Sequence, residues 1–177
     1  MNLKGISQKD LAILISGHLA QRGIDVVLTG GACVAIHTNN KYVSGDLDFV
    51  LISSDKLKET KEFLQSIGFH PEGRCFRHRD TEFFLDFVSP PLSIGDEPPQ
   101  EIIKIHKKGF TLKLLSPTDS VKDRLASYYY WDDRPALEQA ILVSESCEID
   151  LSEVRRWSEK EGFKDKFQIF LERLRNP

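Results

Sequence analysis

Hydrophobic and polar positions follow two different spacings in this chain, and the change falls near residue 115. Before that point, short apolar runs of strand type alternate with stretches whose apolar residues recur every three or four positions, as on one face of a helix. This spacing predicts helices at 7–22, 32–38 and 54–67, strands at 24–29 and 42–52, and hairpins at 75–88 and 102–115. The hairpins are expected to turn near Asp80 and at Lys108-Gly109, and the proline-rich stretch 89–100 to lack regular structure.

After residue 115 only the helical spacing continues. Ser116, Pro117 and Asp119 together give a helix start: serine at the N-cap, proline at the first helical position and an acid in the first turn. Further helices are predicted from Asp133, from Asp150 and over 164–175. The sequence therefore predicts an α+β fold, in which residues 1–115 form a mixed β-sheet flanked by helices and residues 116–177 form a C-terminal helical region packed on that core.

Composition and charge narrow the function classes. The chain has 177 residues, of which 40% are hydrophobic and 29% charged, and a formal net charge of −3. This charge gives no overall attraction to nucleic acid or to an anionic membrane. No apolar run approaches the length of a membrane span, so no membrane partner is expected. Three widely spaced cysteines are typical of reduced thiols, which predicts a cytoplasmic protein.

Three aspartates stand inside apolar strands. Asp46 and Asp48 are two residues apart in "VSGDLDFV", so a strand places both carboxylates on the same face. Like charges held together beside a core repel each other, and a cation between them would relieve the repulsion. Mg²⁺ prefers such carboxylates together with substrate phosphates. Asp86 in "FFLDFV" supplies a third acid if its strand lies next to the first.

Gly30 and Gly31 lie between a buried strand and a helix. Two glycines at this position allow a phosphate to approach the backbone, and the following helix N-terminus offers N–H groups and a partial positive charge. Phosphate cradle, metal carboxylates and a third acid are together the requirements of nucleotidyl transfer.

The stretch "LTGGACVAIHTNNKYVSGDLDFV" resembles the signature of the nucleotidyltransferase superfamily related to DNA polymerase β. It is most similar to the minimal stand-alone branch that includes the AbiEii-type toxins, and "SPTDSVKDRLASYYYWDDRPALEQA" resembles the helical region of that branch. The resemblance implies a nucleotide-binding turn at Gly30, Gly31 and Ser44. It implies metal ligands and catalytic acids at Asp46, Asp48 and Asp86.

In that helical region, the resemblance implies that Lys122 contacts phosphate. The spacing from Gly31 to Asp46 is at the long end for the signature. The sequence after Arg134 departs from the branch, which leaves the roles of Asp133, Arg134 and Glu138 open.

The implied activity is a metal-dependent transfer of NMP from an NTP such as ATP to a hydroxyl or phosphate acceptor. Two Mg²⁺ ions, or Mn²⁺, are the expected cofactors. The acceptor is an RNA end, a protein or a small molecule, and the resemblance implies a toxin of a toxin–antitoxin or phage-defence pair with an antitoxin partner.

Two alternatives stay open at this point: a catalytically silent member that binds nucleotide or a protein partner, and a domain whose acidic strand face is only a structural ion site. The basic run 74–79 is either the exposed side of a hairpin or a phosphate or RNA contact, and the aromatic run 128–131 is expected to be core.

Overall fold

The computed structural model describes residues 2–175. Its elements run in the order α1 Gln8–Ala20, β1 Val26–Thr29, α2 Gly30–His37, β2 Asp46–Leu51, α3 Leu57–Ser66, β3 His70–Glu72, β4 Cys75–Arg77, β5 Phe84–Val88, β6 Ile102–Lys107, β7 Phe110–Leu115, α4 Pro117–Trp131, α5 Arg134–Ser146, α6 Leu151–Lys160 and α7 Lys164–Arg175.

The strands form one mixed sheet in the order β3-β4-β5-β2-β1-β7-β6. β1 is antiparallel to β2 and parallel to β7, while β2 is parallel to β5. Helices flank this sheet and continue after its last strand, which confirms the predicted α+β class. Both predicted hairpins are present, as β4–β5 and β6–β7. The sequence did not indicate β3, because three exposed residues around Pro71 carry no alternation of apolar and polar positions.

One apolar core joins the sheet to the C-terminal helices. Leu28 and Phe49 of the sheet belong to the same buried cluster as Trp157 and Phe170 of the helical region. The division of the chain at residue 115 therefore stays a prediction, since the described core continues across it. Within residues 2–175, no helix is both long and apolar enough to cross a bilayer.

The helices after residue 115 begin where the sequence predicts. The Ser116 hydroxyl accepts a hydrogen bond from Asp119 N at 3.1 Å, and the Asp133 carboxylate accepts one from Ala136 N at 3.1 Å. Asp133 therefore caps α5. Glu138, whose role the sequence left open, forms an ion pair of 2.7 Å with Arg173 of α7.

The aromatic run at the end of α4 is only half buried. Tyr128 and Tyr129 lie in the core as predicted, but Tyr130 is 48% exposed and Trp131 is 82% exposed. The expectation of a buried run was wrong for these two residues. A helix turns by about 100° per residue, so four consecutive positions cannot all face the same core.

The proline-rich segment is irregular, as predicted, and is fastened to α6. Trp157 Nε1 donates a hydrogen bond of 3.1 Å to Ile94 O. Glu97 pairs with Arg156 at 2.6 Å and with Lys160 at 2.5 Å. These contacts hold residues 89–101 against the helical region without any strand pairing to the main sheet.

A buried lysine connects α4 to α6. Lys122 is fully buried, and its Nζ lies 2.9 Å from Asp119 Oδ1 and 3.1 Å from Glu153 Oε1. The contact with Asp119 lacks hydrogen-bond geometry and is electrostatic. Glu153 in turn pairs with Arg156 at 2.6 Å, which links the lysine to the anchored segment. One ammonium thus compensates two carboxylates inside the helical region.

We expect Lys122→Met to lower the free energy of unfolding by about 3–5 kcal/mol, because it leaves the buried Asp119 carboxylate without a cation and leaves Glu153 with Arg156 alone. Denaturant unfolding measures this loss. Lys58→Met is the matched control, since the Lys58 side chain is 88% exposed and its pair with Glu62 spans 3.8 Å. A Lys122→Met protein of unchanged stability would contradict this structural role.

Candidate active site

A row of four paired residues crosses the sheet at the centre of the candidate site. Thr29 on β1 pairs with Asp48 on β2, Asp48 pairs with Asp86 on β5, and Asp86 pairs with Cys75 on β4. Directly paired residues in a sheet carry their side chains on the same face. The parallel pairing of β2 with β5 therefore brings Asp48 and Asp86 side by side. The sequence predicted this arrangement if the two strands were neighbours, and they are.

Asp46 lies two residues before Asp48 on the same face and is held by its own hydrogen bonds. The Ser44 hydroxyl, which is buried, donates 2.7 Å to Asp46 Oδ1. Gln8 Nε2 donates to the backbone oxygens of Ser44 at 2.9 Å and of Asp46 at 3.1 Å. Nothing in the sequence pattern pointed to Gln8, because a polar residue in the first turn of a helix is usually exposed.

Gly30 brings the start of α2 against Asp48. Its φ is +69°, a conformation that side chains disfavour, and a Cβ built there would collide with Asp48 Oδ2 and lie 3.2 Å from its Cγ. Gly31 has a different neighbour, since a Cβ there would lie 2.9 Å from Ser44 Oγ. The two glycines therefore place the N-terminus of α2 next to both the Ser44 hydroxyl and the Asp48 carboxylate.

The Asp48 carboxyl holds its proton unusually strongly. Its pKa is raised from 3.8 to about 6, first by burial and then by the neighbouring charges of Asp46, Asp86 and Asp123, against the opposing effect of Arg124. Three other carboxylates thus act on Asp48 through space. Such a cluster attracts a cation, which relieves the repulsion and displaces the proton.

The donor set fits a hard divalent cation. Asp46, Asp48 and Asp86 offer only carboxylate oxygens, the ligands that Mg²⁺ and Mn²⁺ prefer. Within residues 2–175, no three His, Cys, Asp or Glu side chains already converge as a complete metal site. Mg²⁺ usually takes one or two carboxylates and completes its shell with water and substrate phosphates, so an incomplete protein shell agrees with this ion.

Two further charged residues reach the site from α4. Gly30 N donates a hydrogen bond of 3.3 Å to Asp123 Oδ2. The same oxygen accepts from Arg124 at 2.6 Å and 3.0 Å. Burial lowers the pKa of Arg124, but the adjoining Asp123 and Asp48 outweigh burial and raise it. The Asp123–Arg124 pair therefore lies at the N-terminus of α2, which the sequence did not indicate.

Lys122, which was predicted to contact phosphate, lies away from this site. Its ammonium is enclosed between Asp119 and Glu153, on a different side of α4 from the Asp123–Arg124 pair. Because neighbouring positions on a helix point about 100° apart, the stretch "VKDRL" did not reveal which charged residue faces the nucleotide turn.

The residues of the basic run 74–79 also lie in different surroundings. Arg74 Nε lies 3.2 Å from Asp86 Oδ2 and so belongs to the site. Arg77 instead pairs with Glu72 at 2.8 Å. His78 is buried, with its ring 5.0 Å from the ring of Phe69. The exposed-hairpin interpretation holds for Arg77, while Arg74 is placed to contact a ligand.

Several solved structures share this architecture. An antigenic nucleotidyltransferase-like protein from Paracoccidioides brasiliensis matches with a TM-score of 0.60 at 17% identity, over 81% of this chain and 78% of that chain. The lincosamide antibiotic adenylyltransferase LnuA, solved with lincomycin, matches with a TM-score of 0.52 at 14% identity, over 76% of this chain and 96% of that chain. The fold is that of a nucleotidyltransferase.

A third structure with the nucleotidyltransferase fold, ANT(2'')-Ia in complex with adenylyl-2''-tobramycin, matches with a TM-score of 0.51 at 16% identity, over 92% of this chain and 98% of that chain. No protein-family model and no curated protein matches the sequence. Membership of the AbiEii-type branch, and the roles of the individual site residues, stay predictions.

The close approach of Gly30 to Asp48 can be tested with a matched pair of glycines. Gly23 has the same φ of +69°, but a Cβ there would meet nothing within 4 Å. Gly23→Ala therefore reports the left-handed backbone alone, about 1–2 kcal/mol. We expect Gly30→Ala to destabilise the protein by more than Gly23→Ala in denaturant unfolding. Equal losses would show that the nucleotidyltransferase turn does not depend on this contact.

Asp48→Asn is expected to stabilise the metal-free protein at neutral pH. Since folding raises the Asp48 pKa from 3.8 to about 6, its stabilising contribution is fully present below pH 3.8 and is lost as the pH rises through 6. Allowing for partial exposure, Asn should raise the free energy of unfolding by roughly 1–3 kcal/mol above pH 6 and by little below pH 3.8.

Unfolding curves in the presence of a chelator, measured across this pH range, test the sign. The exposed Asp96→Asn is the control and should leave the curve unchanged. A loss of stability in Asp48→Asn at every pH would contradict the electrostatic account and favour a purely structural role for the carboxylate.

Proposed function

We propose that this protein is a metal-dependent nucleotidyltransferase that moves NMP from an NTP, such as ATP, to an acceptor hydroxyl. The observation that carries the proposal is the pairing of Asp48 with Asp86 on parallel strands, directly beside the start of α2 at Gly30. This arrangement supports one site in which the carboxylates would bind metal, Asp86 would accept a proton and the end of α2 would bind phosphate.

Asp46 and Asp48 would hold the divalent cations, with Asp86 as a third ligand. A bound Mg²⁺ or Mn²⁺ would neutralise the phosphate charge that develops during transfer. The hydrogen bond from Ser44 fixes the orientation of Asp46 before any ion arrives. This fixed orientation limits the rearrangement that binding requires.

The start of α2 would hold the phosphates. Gly30 N currently donates to Asp123, so a carboxylate oxygen occupies the place where a phosphate oxygen would be bound. An entering triphosphate would replace this carboxylate as the acceptor. Arg124, already paired with Asp123 and close to Asp48, would then provide the positive charge that the resemblance assigned to Lys122. Ser44 lies next to Gly31 and would add a hydroxyl donor.

Asp86 is the residue placed to receive the acceptor proton. In the proposed step, the acceptor oxygen forms a bond to the α-phosphorus while its proton passes to Asp86. The bond from the α-phosphorus to the bridging oxygen breaks, and pyrophosphate leaves with that electron pair. Asp86 is buried and lies beside Asp48, so it sits at the border between the metal-binding and acceptor sides.

The similar structures support a small-molecule acceptor. LnuA is described as an adenylyltransferase for lincosamide antibiotics, and ANT(2'')-Ia was solved with adenylyl-2''-tobramycin. A role as the toxin of a toxin–antitoxin or phage-defence pair is a hypothesis that rests on the sequence resemblance.

Calorimetric titration of each NTP, with and without Mg²⁺, is the test. We expect one or more NTPs to bind only with Mg²⁺, and we expect Asp46→Asn/Asp48→Asn to lose that binding by roughly 100-fold or more, because each charge-assisted contact contributes about 1.5–3 kcal/mol. Asp55→Asn, which changes an exposed aspartate outside the site, should bind as the wild type does.

Absence of Mg²⁺-dependent NTP binding to the wild type would contradict the proposal and favour a silent protein with the same fold. Since Asp48→Asn is expected to be stabilising, loss of binding in the double variant cannot be attributed to unfolding if its unfolding curve is intact.

A further inference from the structure

A cleft of about 540 Å³ opens next to Asp86, on the side away from β2. α3 supplies Leu57 and Lys61 to its wall, the β3–β4 hairpin supplies Arg74 and Cys75, and β5 supplies Asp86 itself with its following residues. This volume lies within the range of small-molecule sites. Asp86, the proposed proton acceptor, is one of the residues that line the cleft, so a compound bound in it would lie beside Asp86.

The charge of this cleft is basic. Asp86 is the one acid among the lining residues, and it is paired with Arg74. The other acids of α3 and β3 also have basic partners: Glu59 with Lys56, Glu62 with Lys58 and Glu72 with Arg77. Among residues 2–175, Lys61 forms no ion pair and no hydrogen bond, and its side chain is exposed. Lys61 is thus an uncompensated positive charge at the cleft wall.

Arg74 is a second cation that a ligand can recruit. Its side chain is 87% exposed and makes one ion pair, 3.2 Å from Nε to Asp86 Oδ2. A guanidinium has five N–H donors, so most of its donors face solvent. An anionic group entering the cleft can take Arg74 in a bidentate pair. Asp86 would thereby lose its partner and become free to accept a hydroxyl proton.

The remaining wall is apolar. Leu57 and Phe87 are partly buried at the cleft, and Val88 is 48% exposed there although it belongs to a sheet strand. An exposed apolar strand residue beside two cations is suited to a ligand with an apolar body and an anionic end. Two basic side chains in a concave cleft are too few for the extended basic surface that binds an RNA.

We propose that this cleft is the acceptor site, and that Lys61 and Arg74 select a small hydroxyl compound with an apolar body and a carboxylate or phosphate group. This assignment rests on the nucleotidyl transfer proposed above and deepens it by naming the acceptor class. Lys61, the uncompensated cation, disfavours an amino group at its end of the cleft, so compounds rich in amino groups, such as the tobramycin adduct of ANT(2'')-Ia, fit this selection poorly.

Cys75 gives a readout that needs neither NTP nor catalysis. It lies in the cleft and is partly exposed, whereas Cys33 is fully buried and Cys147 can be replaced by alanine. The probes are para-hydroxymethyl derivatives of benzoate, phenyl phosphate, benzamide and benzylamine, which share the ring and the hydroxymethyl group. The alkylation rate of Cys75 is measured with and without each probe, and the ratio is compared within each variant.

The benzoate or the phenyl phosphate derivative should slow the alkylation of Cys75, while the benzamide and benzylamine derivatives should not. Lys61→Ala and Arg74→Ala should each weaken this protection roughly tenfold or more, because each removes a charge-assisted contact. Arg74→Lys should recover part of it. Lys58→Ala, on the same helix but outside the cleft wall, is the matched control and should protect as the wild type does. The two anionic probes distinguish a carboxylate from a phosphate.

Equal protection by the neutral or cationic probes, protection that survives in Lys61→Ala/Arg74→Ala, or no protection by either anionic probe would overturn the assignment. The NTP titration separates these failures from a failure of the proposed function. If NTP binds with Mg²⁺ but no anionic probe protects Cys75, the proposed nucleotidyl transfer stands and the proposed acceptor class is wrong. If an anionic probe protects Cys75 but no NTP binds, the anion-selective cleft stands and the proposed nucleotidyl transfer is wrong.

Discussion

The parallel pairing of β2 with β5 is the constraint on which the candidate site depends. It sets Asp48 and Asp86 opposite each other across neighbouring strands, although 38 positions of chain separate them. A slip of one residue in this register would turn Asp86 to the opposite face, where Leu85 now packs in the core. Burial of Leu85 and Phe49 on that face therefore fixes the position of the carboxylates on the other. The same strand register therefore positions both the apolar core on one face of the sheet and the carboxylates on the other.

The carboxylates of the site repel one another, which destabilises the folded state, and the rest of the fold offsets this cost. Asp48 is partly buried beside Asp46, Asp86 and Asp123, and burial together with repulsion from these carboxylates raises its pKa. Arg124 and Arg74 offset part of this charge from opposite ends of the row. The helical region supplies stability of another kind, since Lys122 joins α4 to α6 inside the core. The charges near the sheet are thus the ones proposed to bind ligands, whereas the charges between the helices stabilise the fold.

The sequence predicted the parts of the site that follow from local periodicity. Alternation in "DLDFV" and "FLDFV" identified three carboxylates on strand faces, and the glycine pair identified the turn before α2. What the sequence could not provide were relations set by packing angles. Lys122, Asp123 and Arg124 are consecutive charged residues on α4, and only the docking of that helix decides which of them meets Gly30. The hydrogen bonds of Gln8 span 36 and 38 positions and leave no local pattern.

The β3–β4 hairpin lies at the edge of the sheet, where β3 is exposed along its length. It contributes Arg74 and Cys75 to the cleft, but the carboxylates proposed to bind metal stand on strands that lie further inside. Substitutions at Pro71 or Gly73, which are exposed and line the cleft, can therefore change what the cleft admits while the register of β2 with β5 is kept. Under the proposed function, differences in acceptor between related proteins are expected first in this hairpin.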